Sequence, residues 1–73
     1  MIYRRSRTLR RAEHRVLRLL LRGLSEEDMA QALNVTYATV HTHVKRIYAA
    51  FEVHSRRELM ALYLVATAHD EPI

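Results

Sequence analysis

The residues of this chain that could do chemistry cluster in three short stretches. "HTHVKR", residues 41–46, sets His41, Thr42, His43, Lys45 and Arg46 within two turns of any helix that contains them. "SEEDMA", residues 25–30, places Glu26, Glu27 and Asp28 side by side. Residues 1–22 hold eight Arg against one Glu. Two imidazoles two residues apart suggest a metal ion. On a helix, however, residues two apart point in nearly opposite directions, so His41 and His43 cannot chelate one ion by themselves. His43 reads as a half-buried packing residue, and His14, His54 and His69 as surface residues with no partner pattern. The three acids suit the first turn of a helix, where the dipole favours negative charge, better than they suit a catalytic cluster. Glu13 and Glu58 read as structural partners of Arg rather than as acids or bases. There is no cysteine, no Gly-rich phosphate loop and no nucleophile elbow. The chain therefore reads as no enzyme, with no cofactor and no metal site.

What remains is binding through charge. The net charge is +4 and the sequence pI about 10.1. Residues 23–73 hold four basic and seven acidic residues, so the positive charge is concentrated at the N-terminal end. A basic pole suits a polyanion, either nucleic acid or an anionic membrane. The plain alternative is a solvated Arg face that aids solubility. The opening "MIYRRSRTLRR" has no apolar h-region after it. The longest apolar run, Leu59 to Ala66, is far shorter than the roughly 20 residues a bilayer needs. The expectation is a cytoplasmic, nucleoid-associated protein with no membrane contact.

Those residues need elements to position them. The chain has 73 residues, which suggests one domain of marginal stability. With one Gly and one Pro it lacks the punctuation of a sheet or turn-rich fold. Four helices follow from the pattern. The first runs from about Arg10 to Arg22, with Val16, Leu17, Leu20, Leu21 and Leu24 at helical spacing. Arg11, Arg15, Arg18 and Arg22 form one exposed basic stripe on it, and Gly23 is placed to end it in a left-handed conformation. The second starts at Ser25 as N-cap, turns Met29, Ala30 and Leu33 inward, and ends at Asn34. The third follows Thr36 as N-cap and carries the core stripe Val40, Val44, Ile47 and Phe51. The fourth starts in the capping box Ser55–Glu58 and runs to about Ala68.

A short helix, the tight "NVT" turn and a longer amphipathic helix make a helix-turn-helix, whose second helix enters the DNA major groove. Opposite its core stripe, that helix carries Ala38, His41, Thr42, Lys45 and Ala49 along one strip. Small, donor-rich residues there allow close approach to base edges and phosphates. Thr36, Tyr37 and Thr39 lie at its N-terminus, where hydroxyls and backbone N–H groups suit phosphate. Arg46 adds a second cation beside Lys45.

These stretches resemble the LuxR/NarL/GerE family of bacterial helix-turn-helix domains, from Leu9 to about Ala61. "LRRAEHRVL" is similar to the family's opening Leu-Thr-x-Arg-Glu-x-Glu-Val-Leu. "GLSEEDMAQALNVTYATVHTHVKRIY" carries its Gly-Leu-Ser, Met-Ala, Leu and Thr-Val-x-x-His positions. "VHSRRELMA" matches its Val-x-Ser-Arg-x-Glu-Leu. The resemblance implies an all-α, four-helix fold and a dimer that binds DNA and regulates transcription. It implies DNA contacts from His41, Thr42 and Lys45, and makes Arg56 a candidate phosphate or structural contact. It leaves room for a contact with RNA polymerase or another regulator. Four departures stand out. His41 replaces a usual Lys or Arg. Arg10 replaces a Thr cap, so the first helix is expected to begin instead at Ser6 or Thr8. Arg15 replaces a common Glu. Glu52 replaces a Gly, and if it keeps a left-handed backbone it costs on the order of 1 kcal/mol, so that turn is expected to differ.

The run "LMALYLVA" is apolar on every side of the fourth helix. Leu59, Leu62, Tyr63 and Ala66 can face the core. Met60, Ala61, Leu64, Val65 and Ala68 then need other cover. A symmetric partner is expected there, and with it an inverted-repeat operator on double-stranded DNA. The expected organisation is a basic arm over residues 1–8, a DNA-binding domain with its dimerisation helix over 9–69, and a tail over 70–73. The arm either tracks phosphates and a neighbouring minor groove or serves as a solubilising tail. The chain reads as a stand-alone regulator that binds specific sequences. The rivals are a protein-interaction module that keeps this fold and a non-specific nucleic-acid binder.

Overall fold

The computed structural model of the chain describes the backbone of residues 8–70 and the side chains of residues 8–65. Its helices are α1 Arg11–Leu21, α2 Glu26–Leu33, α3 Tyr37–Phe51 and α4 Arg56–Asp70. Among the described residues there is no strand. The all-α, four-helix expectation holds.

Three helix starts come from side-chain caps that relieve otherwise unpaired N–H groups. Ser25 Oγ accepts from the Asp28 N–H at 3.1 Å. Thr36 Oγ1 accepts from the Thr39 N–H at 3.1 Å. Ser55 Oγ accepts from the Glu58 N–H at 3.2 Å. Glu58 answers one residue further out than in the usual box, accepting the N–H of His54 at 3.2 Å. The start of α1 is different. Its cap position is Arg10, whose guanidinium has no acceptor, so no side-chain cap forms. Instead Glu13 accepts the backbone N–H of Arg10 at 3.0 Å, which is half a capping box. That half suffices to start the helix at Arg11. The expected start at Thr8 is therefore corrected, since Thr8 lies in a turn, and Ser6 lies outside the described residues.

Helices α1, α2 and α3 all end with the same pair of backbone bonds. Leu24 and Gly23 donate to Leu19 and Leu20, Val35 and Asn34 to Ala30 and Gln31, and Val53 and Glu52 to Tyr48 and Ala49. This motif needs one left-handed residue. Gly23 (φ 90°), Asn34 (φ 56°) and Glu52 (φ 58°) supply it. A Cβ on Gly23 would meet nothing within 4 Å, so only conformation asks for glycine there. Glu52 keeps the left-handed backbone despite its Cβ. The expected change in the turn between α3 and α4 does not occur, and the cost stays local, about 1 kcal/mol.

The core is Leu9, Val16, Leu17, Leu20, Met29, Ala30, Val40, Val44, Ile47, Phe51 and Leu59. Burial of each larger member contributes about 1.5–3 kcal/mol. Helix α3 is the centre of the packing and touches α1, α2 and α4. Its predicted stripe Val40, Val44, Ile47 and Phe51 is buried throughout. Leu33, Leu62 and Tyr63 are partly buried against this core, and Phe51 meets Tyr63 edge-on at 5.6 Å. Leu59 is the one fully buried residue of α4 among the described side chains. On the other side of α4, Met60, Leu64 and Val65 are 39%, 72% and 56% exposed, and Ala61 is exposed too. The side chains of Ala66, Ala68 and His69, the arm over residues 1–7 and the tail over 71–73 lie outside the described residues. No helix among the described residues is long and apolar enough to cross a membrane.

Candidate nucleic-acid interface

Because the core stripe pins one side of α3, the opposite side must face outward. Ala38, His41, Thr42, Lys45 and Ala49 are all exposed there. Helix α3 contains no acidic residue. Its N-terminus is also left positive. The first turn of α2 holds Glu26, Glu27 and Asp28, whereas the first turn of α3 holds no acid. The unneutralised end of α3 is therefore the better seat for an anion. Tyr37, 50% exposed, stands at that end. The Thr36 hydroxyl caps the helix and shares a 2.9 Å hydrogen bond with the Thr39 hydroxyl, so both are partly engaged.

The polar side chains of the strip differ in how firmly they are held. Thr42 donates its hydroxyl to the Ala38 carbonyl at 3.0 Å. The His41 ring stacks on Tyr37 with centroids 5.9 Å apart and planes 8° from parallel. His41 Nδ1 lies 2.9 Å from Glu26 Oε1. Lys45 is exposed and without a hydrogen bond or ion pair among the described residues, a mobile point charge suited to phosphate. An open concavity beside the strip is lined by residues that include Glu26, His41, Lys45, Tyr48, Ala49 and His54.

Arg46 stands at the edge of the strip, 55% exposed, with Nη1 3.5 Å from Glu13 Oε2. Glu13 is only 4% exposed. Its carboxyl is held below the usual glutamate range. The main cause is the bond from the Arg10 N–H, which burial opposes; the hydrogen bond and charge of Arg46 and the charge of His43 add to the lowering. His43 is half-buried as expected, its Nδ1 3.9 Å from Glu13 and without a hydrogen-bond partner. Arg56, in the first turn of α4, is half-buried. Arg11, Arg15, Arg18 and Arg22 are all exposed, as the stripe requires, and none lines the concavity beside His41. Among the described residues no three of His, Asp and Glu come together to hold a metal ion.

The structure thus brings Ala38, His41, Thr42 and Lys45 together, with Thr36, Tyr37 and Thr39 at the end of the same helix. It sets Arg46 beside them but engaged with Glu13. Sequence reasoning missed Glu26 as the partner of His41. In one sequence, that residue carries only the signature of a helix start.

The model of a family described as "Bacterial regulatory proteins, luxR family" matches residues 7–63. A protein of Aeromonas salmonicida described as "Putative HTH-type transcriptional regulator in exeN 3'region" is 43% identical over 56 residues, covering 77% of this chain and 29% of that protein. The HTH-type transcriptional regulator MalT of Vibrio campbellii is 35% identical over 54 residues, and that of Vibrio parahaemolyticus equally so. Those matches cover 74% of this chain and 6% of each relative. The chain therefore spans less than a third of the length of the relatives it matches. No solved structure matches the chain.

Proposed function

The chain belongs to the luxR family of helix-turn-helix transcriptional regulators, and from that premise we propose that it binds specific double-stranded DNA sequences as a homodimer, with α3 in the major groove. One observation carries this reading. The outward strip of α3 is made of small and hydrogen-bonding residues, with no acid on the helix and none in the first turn of its N-terminal end. A helix of that kind can approach both base edges and phosphates. Thr42 and His41 are the proposed reading residues, and Lys45 is a proposed phosphate contact. Thr36, Tyr37, Thr39 and Arg56 are further proposed phosphate contacts, and Arg46 joins them while keeping its contact with Glu13.

The apolar outer face of α4 supports the dimer. Leu64 and Val65 are left exposed by the described residues, as a face that a partner covers would be. A two-fold pair joined there would place two copies of α3 on one side of the DNA, about one turn apart. The exposed α1 arginines favour one addition, a salt-dependent contact with the polyanion that carries no sequence information.

Selection of bound duplexes from a random pool at near-physiological salt tests the whole reading. An inverted repeat with half-sites roughly 34 Å apart is expected. Recovery of no motif, with affinity that collapses as salt rises, would leave only non-specific binding. Partner binding without DNA affinity would leave only a protein-interaction module. Lys45→Ala should weaken binding to all recovered sites alike, because a phosphate contact does not distinguish them. Sedimentation that gives a monomer at tens of micromolar and on DNA would remove the dimer.

A further inference from the structure

We infer that Glu26 selects the ring nitrogen with which His41 reads DNA, so that the base preferred at that position changes with protonation of one imidazole. The inference rests on α3 docking in the major groove.

Two contacts from different places fix this ring. Tyr37, one turn earlier on α3, stacks against its plane at 5.9 Å and 8°. Glu26, the first residue of α2, reaches Nδ1 at 2.9 Å from 15 residues away in the chain. The His41 side chain is 48% exposed and that of Glu26 only 23%, so the ring is the more open partner of the pair. A carboxylate only accepts hydrogen bonds. The proton of a neutral His41 is therefore held on Nδ1, and Nε2 is left as a bare acceptor. Once the ring is protonated, Nε2 carries a hydrogen and becomes a donor, while Nδ1 keeps its bond to Glu26.

The two states suit different base edges. An acceptor matches the amino group of cytosine or adenine. A donor matches O6 and N7 of guanine, and also N7 of adenine and O4 of thymine, so cytosine and guanine are the bases that separate the two states. Imidazole is the side chain whose charge changes near neutral pH. The charged and titratable groups facing His41 are Glu26 from α2, Lys45 on α3, Glu52 at the end of α3, and His54. Tyr37 contributes its ring face. Here the donor is conditional, and its partner sits on the neighbouring helix.

Two measurements test the inference. The first is 15N NMR of the His41 ring in the full chain without DNA, at pH 8. The wild type should carry its proton on Nδ1. Glu26→Gln should shift the ring towards Nε2–H, because an amide can donate as well as accept. The same tautomer in both proteins would overturn the inference. The second is duplex selection at pH 8 and pH 6. At the position facing His41 the wild type should prefer cytosine over guanine at pH 8 and move towards guanine at pH 6. The change in preference should be roughly fivefold, the worth of one net hydrogen bond. His41→Lys should prefer guanine at both pH values, and Glu26→Gln should lose the preference at pH 8. A wild-type motif that is the same at both pH values, or that Glu26→Gln leaves unchanged, would overturn the inference and leave groove docking standing. Recovery of no motif from any protein would remove groove docking, and the inference with it.

Discussion

Two carboxylates reach across to α3 from neighbouring helices, and they differ in almost everything but chemistry. Glu13 comes from α1 and meets Arg46 and His43. Glu26 comes from α2 and meets His41. The Glu13 side chain is 6% exposed and also caps the start of its own helix through the Arg10 N–H. The Glu26 side chain is 23% exposed and spared that task, because Ser25 already caps α2. Burial decides what each can do. An ionised group taken from water must keep its partners, so Glu13 ties α1 to α3 and cannot be released cheaply. A pair near the surface contributes little to stability, so Glu26 is free to serve presentation rather than folding. The same split runs along α3. Its Glu13 side holds the fold, its Glu26 side borders the strip, and Arg46 stands between.

The largest test of this contrast is Glu13→Ala. It removes the only acceptor shown for the Arg10 N–H and leaves Arg46 and His43 without their carboxylate. A loss of about 1–2 kcal/mol is expected in chemical denaturation, with a Tm fall of about 4–8 °C for each kcal/mol. A loss below about 0.5 kcal/mol would mean that Glu13 is no more than a surface charge, and the contrast would break. Acid sharpens the same point. The native pKa of Glu13 is lowered, so its stabilising contribution is complete above the unfolded value near 4.3. That contribution disappears as pH falls through the lower native value. Glu13→Gln should flatten stability against pH in that acid window, which parallel urea titrations would show.

Next in size is Glu52→Gly, which relieves a left-handed residue that bears a Cβ. A gain of about 1 kcal/mol is expected. It would separate an acid whose backbone matters from the two whose carboxylates matter. No gain would mean that contacts of the Glu52 side chain offset its strain. The smallest expected effect is that of Glu26→Gln on folding, within about 0.5 kcal/mol. A larger loss would make Glu26 a second Glu13 and would erase the contrast. A small loss joined to an altered base preference would sharpen it.

Much of the fold was legible because its signals are local. Ser25, Thr36 and Ser55 can each accept the N–H three residues on, and each does. Val40, Val44, Ile47 and Phe51 recur at helical spacing, so one side of α3 had to be buried and the other exposed. Gly23 and Asn34 announce left-handed ends, whereas Glu52 does not and had to be seen. Helical spacing puts the start of α1 at about Arg10, within one residue of Arg11, and only the alternative start at Thr8 fails, for a related reason. Arg10 cannot cap through its side chain, and the half-box from Glu13 acts on the backbone, where residue type gives no sign.

By itself the sequence determined the four helices, the core stripe of α3, the arginine stripe of α1 and the apolar outer face of α4. Each follows from spacing within one helix, and that periodicity is a property of the chain alone. Only the tertiary structure decided which acid meets which cation. Glu13 and Arg46 lie 33 residues apart, and Glu26 and His41 lie 15 apart. They meet because α3 packs against α1 and α2 at once. The packing of those three helices fixes which side chains share an edge, and no local period encodes it.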